Sequence, residues 1–238
     1  MQRKAEKLER GVAAKEYALL LALVAGAVIS ILAVLGLSVA GVFEQAVDPM
    51  LTPPAGGRPD WSEDFEDPGL PDWDWSRTDG WQQNNGQLVM GPPGEVRGFS
   101  GDPDWTDYTV QVKAILYEGR GYGIYFRATG APQKVNAYVF QYDPGYGAPR
   151  GSFIFRKVVR GREQRPFARV VAPEGFEWHN VWRDIQINVE GDTFTAYIDG
   201  QPMLQANDAK YATGRVGLRT WGGCLAGFDD FQVTLSGP

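Results

Sequence analysis

Cysteine and histidine are almost missing from these 238 residues, which hold one of each, Cys224 and His179. A lone cysteine excludes an internal disulfide and any cysteine-based zinc site, so a domain built from this chain holds together by its core alone. A lone histidine means that any nucleophile–histidine arrangement must run through His179, in FEWHNVW, and no nucleophile elbow accompanies it. Basic residues are in deficit, 23 against 29 acidic, giving a net charge of −6. That balance argues against nucleic acid or an anionic lipid surface as partner. After Phe43 no stretch shows a long helical period.

What is present begins with one long apolar run. Residues 17–43 carry no charge, and at ~1.5 Å per residue they make ~40 Å of helix, enough to cross a hydrocarbon core of ~30 Å. Before them stand a short leader with Arg3, Lys4, Lys7 and Arg10, then Gly11, and Glu16-Tyr17 at the fifth and sixth positions after that glycine. A plain anchor has no use for a carboxylate there, because buried alone it would cost several kcal/mol or take up a proton. Ala18, Ala22, Gly26 and Ser30 recur every fourth residue, a stripe that permits close approach between packed helices.

This leader, glycine, Glu-Tyr pair and apolar helix resemble the Flp-type pilins of tight-adherence (type IVb) pilus systems, with Lys15 as one departure where an apolar residue is more usual. The resemblance implies that a prepilin peptidase cuts after Gly11, so that the new α-amino group of Val12 pairs with Glu16 of a neighbouring subunit. It further implies a precursor in the inner membrane and a homo-oligomeric helical filament outside the cell. The segment 1–11 carries a net +2, so its removal takes the chain from −6 to −8. Two other readings stay open: a secretory signal cleaved after Ser38-Val39-Ala40, and an uncleaved anchor. All three put the bulk of the chain outside, since the basic leader marks the cytoplasmic side.

Residues 46–60, AVDPMLTPPAGGRPD, read as a Pro/Gly linker. From 61 to 238 the pattern is strand after strand at period two: YTVQVKAIL, YGIYFRAT, NAYVFQYD, GSFIFRKVV, DIQINVEG, TFTAYIDG, VGLRTW and AGFDDFQVTL. The expected fold is one long N-terminal hydrophobic α-helix (12–45) followed by an all-β antiparallel sandwich. DFED, NNGQLVM, WTDYTVQVKA, GYGIYFRA, WRDIQINVEGDTFTAYIDGQPM, TGRVGLRTW and FDDFQVTL, in that order, resemble the concanavalin A-like jelly rolls, in particular the branch of 3-keto-disaccharide hydrolase-like domains.

That resemblance places His179 at the entry to a strand, a structural position. β-Glucanases of this fold class carry Glu-x-Asp-x-x-Glu on one strand. The nearest match here, Glu190-Gly-Asp192-Thr-Phe-Thr195, lacks the last acid and reads as a hairpin turn, so no catalytic residues are expected. Calcium is a candidate cofactor: the fold brings first and last strands together, which would place Asp64 beside Asp229 as hard oxygen ligands, with a solvated acidic edge as the alternative. A glycan is the candidate ligand. Alternation puts Tyr125 with Arg127 on one face, and Arg219 with Trp221. With Gln141 between them and Tyr146 on the DPGYGAPR loop at the rim, these would form an aromatic-edged polar groove. The reading is therefore a non-enzymatic pilus subunit whose sandwich is displayed for adhesion or glycan binding; the alternative is a membrane-tethered or secreted carbohydrate-binding or glycoside-hydrolysing protein. Mass spectrometry of the N-terminus, taken from sheared filaments, tests it: a start at Val12 is expected, whereas Gly41 or Met1 would overturn the filament.

Overall fold

Alternating sequence becomes alternating burial along β6 (Tyr108–Glu118), where Tyr108, Val110, Val112, Ala114 and Leu116 point into the core and Gln111 and Lys113 do not. The computed structural model describes residues 59–147 and 149–236. Gly11, Val12, Glu16 and the Ala18, Ala22, Gly26, Ser30 stripe lie outside them, as do the expected helix 12–45 and the linker up to residue 58.

The described residues form an all-β antiparallel sandwich of two sheets. In the larger sheet the spatial order is β13 (Gln201–Asn207), β12 (Thr193–Ile198), β11 (Arg183–Glu190), β6, β15 (Leu225–Leu235), β4 (Gln87–Met90) and β3 (Trp81–Asn84), with β1 (Trp61–Glu63) also on β15. The smaller runs β10 (Arg162–Val171), β9 (Ser152–Val159), β8 (Asn136–Asp143), β7 (Tyr122–Thr129), β14 (Arg215–Thr220), β5 (Val96–Ser100) and β2 (Asp74–Trp75). Glu190-Gly191-Asp192 is the β11–β12 turn, with Gly191 at φ 54°.

Between the sheets the core is largely aromatic. The ring of Phe194 lies 4.9 Å from Phe126 and 4.6 Å from Tyr138, and Phe126 packs edge-on against Phe155 at 5.8 Å. Such pairs add about 0.5–1.5 kcal/mol each beyond the area they bury. At one margin Trp75 of the smaller sheet stacks on Trp81 of the larger, 4.5 Å apart at 12°, joining the two layers. Gly98 is required there, since a Cβ would stand 2.4 Å from the Trp75 ring.

Two bulges break the alternation. In β7 the register shifts between Phe126 and Thr129, and Arg127 sits at φ 48°. The expectation that Arg127 shares a face with Tyr125 is thereby corrected. Its guanidinium turns to the carbonyls of Thr106 (3.0 Å) and Tyr211 (3.1 Å) and to Asp107, and lies over the Phe194 ring. Its own N–H donates to the Tyr108 hydroxyl at 2.7 Å. In β15 a shift between Asp229 and Gln232, with Asp230 at φ 48°, lets Phe228 and Phe231 both face inward. Removing the buried Arg127 side chain deletes its bonds to Thr106, Tyr211 and Asp107 and its packing on Phe194, so Arg127→Ala should cost roughly 1–3 kcal/mol in urea unfolding. A change under about 0.5 kcal/mol, typical of an ordinary surface position, would refute the clamp.

Candidate functional site

The outward face of the smaller sheet is built in rows that cross the strands. One row reads Arg97 (β5), Arg219 (β14), Gly123 (β7), Gln141 (β8), Ile154 (β9) and Arg169 (β10), each residue in register with the next. With strands ~4.8 Å apart it spans roughly 24 Å. Gly123 leaves the space over which Arg219 lies, because a Cβ there would come within 2.9 Å of the Arg219 Cγ. The adjoining row is Phe99, Gly217, Tyr125, Val139 and Arg156. Phe99, Tyr125, Ala128, Val135, Ala137, Val139 and Val158 form a second apolar cluster under this face, separate from the main core.

Arg219 is 3% exposed. Its guanidinium pairs with Glu163 and, at 2.9 Å, with Glu95, which also holds Arg97 at 2.7 Å. Glu163 accepts a hydrogen bond from Gln141 as well. Gln141 in turn accepts from Arg156 Nε at 2.6 Å. The chain of contacts ends in rings at both sides: Arg219 lies 4.8 Å over Trp221, while Arg156 and Arg169 lie 5.0 and 5.2 Å over Tyr146. The Tyr125 hydroxyl and Arg219 Nε are buried among these groups without a hydrogen-bond partner among the described residues. Burial raises the Tyr125 pKa, with Arg219 and Arg97 opposing.

Beside this network is a cavity of about 300 Å³ lined by Arg120, Asp143, Gly145, Tyr146, Trp221 and Gly222. Tyr146 and Trp221 thus meet at one cleft. Tyr125 and Gln141, 0% and 2% exposed, are buried with Arg219 and line no part of it, so Tyr125 offers no ring face to a ligand. Arg120, Asp143, Glu95, Arg97, Arg156, Glu163 and Arg169 were missed by reasoning from the sequence alone. Arg156 left a signal, as the first charge in the apolar run SFIF; Arg120 left none, because it stands in a β6–β7 turn.

The remaining candidates lie elsewhere. His179 Nε2 is 2.9 Å from the Gly119 carbonyl and lines no part of the cleft. Cys224 is buried, and its sulfur accepts from the Arg120 N–H at 3.1 Å. Asp229 has a raised pKa through burial, reinforced by the charges of Asp230 and Asp64, so the two acids named for calcium are neighbours. Each is engaged locally: Asp64 accepts from the Glu66 N–H, Asp229 from that of Asp230. Among the described residues no group of three or more His, Cys, Asp or Glu is placed to hold a metal.

Burial also raises the pKa of Asp143, against the Gly145 N–H (3.0 Å), the Tyr146 N–H and the charges of Arg156 and Arg120. A carboxyl group whose pKa is higher folded than unfolded binds more protons in the folded state, so its contribution to stability falls as pH climbs from the unfolded to the folded pKa. The stability of the unmodified protein minus that of Asp143→Asn should therefore drop across that window in paired urea titrations; a rise there would reverse the sign.

Solved structures of similar fold include the carbohydrate-binding module CBM66 from Bacillus subtilis, 22% identical, covering 68% of this chain and 95% of that one at a TM-score of 0.57. A β-1,3-1,4-glucanase (lichenase) from a mouse hindgut metagenome is 12% identical over 74% and 99%, with a TM-score of 0.56. The exoplasmic/lumenal domain of VIP36 in a Ca²⁺/mannose-bound form is 11% identical over 70% and 84%, also at 0.56. These likenesses show a shared fold. No curated protein matches the chain. Residues 60–234, however, match the 3-keto-alpha-glucoside-1,2-lyase-like domain, and the chain belongs to that family.

Proposed function

We propose that this protein binds carbohydrate in the Tyr146–Trp221 cleft, with its sandwich held outside the cell by the N-terminal segment. The observation that carries the reading is the cleft's composition: Tyr146, Trp221, Arg120 and Asp143 line one space of about 300 Å³, beside a network of mutually bonded Gln141, Arg156 and Glu163. Sugar rings present C–H faces that pack on aromatic rings, and hydroxyl rims that need directed donors and acceptors. A lining of this kind supplies both. Family membership and the carbohydrate-binding neighbours support the same choice. The pilin-like leader and stripe support display on a filament.

Binding is proposed in preference to turnover. The cleft contributes one carboxylate, Asp143, so the second acid of a retaining or inverting glycosidase is missing from its lining. The family's description names a lyase acting on a 3-keto-α-glucoside, which supplies the direct comparison. The protein should leave such a substrate unchanged over hours, followed by chromatography; product formation dependent on Asp143 would replace the binding role by a catalytic one.

On a glycan array the full chain in detergent should give a defined set of hits. Trp221→Ala should weaken binding at least tenfold, about 1.4 kcal/mol, with little change in thermal unfolding, since the ring is partly exposed and stacks on a guanidinium held by other partners. Equal binding by the variant would remove Trp221 from the site, and an array without hits would end the carbohydrate reading.

A further inference from the structure

The distribution of charge around this cleft runs against that of the whole chain. Arg97, Arg120, Arg156, Arg169 and Arg219 gather on this face and around its cavity, facing Glu95, Asp143 and Glu163. Five guanidinium groups against three carboxylates give a local balance of +2 on a protein of net charge −6. Nor is the excess spread over both sheets. The outward face of the larger sheet presents, across β12, β11, β6 and β15, the uncharged rows Thr195, Asn188, Thr109, Thr234 and Tyr197, Gln186, Gln111, Gln232, and then the row Asp184, Lys113, Asp229, in which acids outnumber bases.

The pairing within the cluster shows where the uncompensated charge lies. Glu95 and Glu163 are engaged by Arg97 and Arg219. Arg120, Arg156 and Arg169 form no ion pair among the described residues. Each is held by neutral groups instead: Arg120 donates to the Gly145 carbonyl (3.1 Å), Arg156 to Gln141 and the Gln164 carbonyl (3.0 Å), and Arg169 to the Ser152 hydroxyl (2.8 Å). Two of them lie over Tyr146, which fixes their planes. Asp143 is the carboxylate on which the charges of Arg156 and Arg120 act, and it also accepts the Gly145 N–H, so three guanidinium groups share one carboxylate.

We infer that the ligand carries an anionic oxygen group, a sugar carboxylate or a sulfate ester, received by Arg120 in the cleft lining and by Arg156 and Arg169, which lie over the Tyr146 ring at its margin. Guanidinium groups oriented by stacking and by neutral acceptors keep N–H donors for an incoming anion, and charge-assisted pairs with carboxylate or sulfate oxygens are the strong ones. Cationic clefts in low-dielectric walls concentrate anions. This inference rests on the carbohydrate reading above and narrows its substrate class to acidic saccharides.

The test is a glycan array holding neutral, uronate-bearing and sulfated saccharides, followed by calorimetry with an oligogalacturonate and its methyl ester, which share one backbone. Hits confined to acidic glycans are expected, with uronate or sulfate hits identifying the source of the anion. For uronate hits the free acid should bind at least tenfold tighter than the ester; for sulfate hits the desulfated saccharide makes the same comparison. Arg120→Gln and Arg156→Gln should each lose at least tenfold. Arg162→Gln removes the same charge from a different cavity, the one it lines with Lys134 and Arg160, and should bind as before. Neutral hits, or equal affinity for the acidic and neutral forms, would overturn the inference and leave the carbohydrate reading standing. Equal loss in Arg162→Gln would also overturn it, in favour of a diffuse field. No hit of any class would end both.

Discussion

A guanidinium buried to 3% exposure has to be paired, because an isolated charge out of water costs several kcal/mol, and Arg219 is paired from two directions. Glu95 reaches it from the segment before β5, and Glu163 from the outermost strand, β10. To meet those demands the edge strand must curl its Glu163 over the sheet, which in turn fixes Gln141, Arg156 and, through stacking, Tyr146. On its other side the same guanidinium sets the Trp221 ring. Both aromatic walls of the cleft therefore take their positions from one ion-pair network. The network itself depends on Gly123, whose missing side chain leaves room for Arg219 to cross β7.

The two sheets divide the work. Their facing surfaces are filled with rings and aliphatic side chains and account for cohesion. Outside, the larger sheet carries amides and hydroxyls that bond one another, such as Gln111 with Gln186 (3.2 Å) and Gln205 with Thr195 (3.1 Å). The smaller sheet instead raises a second apolar layer around Tyr125 and Phe99, and sets its charged network beside that layer. Charged groups beside an apolar layer are less screened than on an open surface, which makes their arrangement more decisive.

The sandwich was legible from period-two runs because half-buried strands need alternation: YGIYFRAT and NAYVFQYD begin and end where β7 and β8 do. β10 was not, since REQRPFARVV reads as a charged loop broken by Pro166, and a strand at a sheet edge needs neither an apolar face nor every N–H. Bulges were equally hidden. Nothing local marks Arg127 for a left-handed backbone, and Asp230 only by a residue type that tolerates one anywhere, yet each sits at a shift of register in its strand. Of the cleft, Trp221 and Tyr146 could be named because aromatic residues near strand ends stand out. Arg120 and Asp143 could not, as only the pairing of β7 with β8 brings the β6–β7 turn beside the end of β8.

The margins of both sheets share a property with a consequence for crowding. β10 carries Pro166 and register shifts at Glu163/Pro166 and Pro166/Ala168, and β2, at the other end of that sheet, is two residues long. β13 contains Pro202 and a shift at its pairing with β12, and β3 is a four-residue strand. None of the four offers a long, flat ladder of free backbone groups to a neighbour. Copies of this sandwich can thus stand side by side at very high local concentration without zipping edge to edge into continuous sheets.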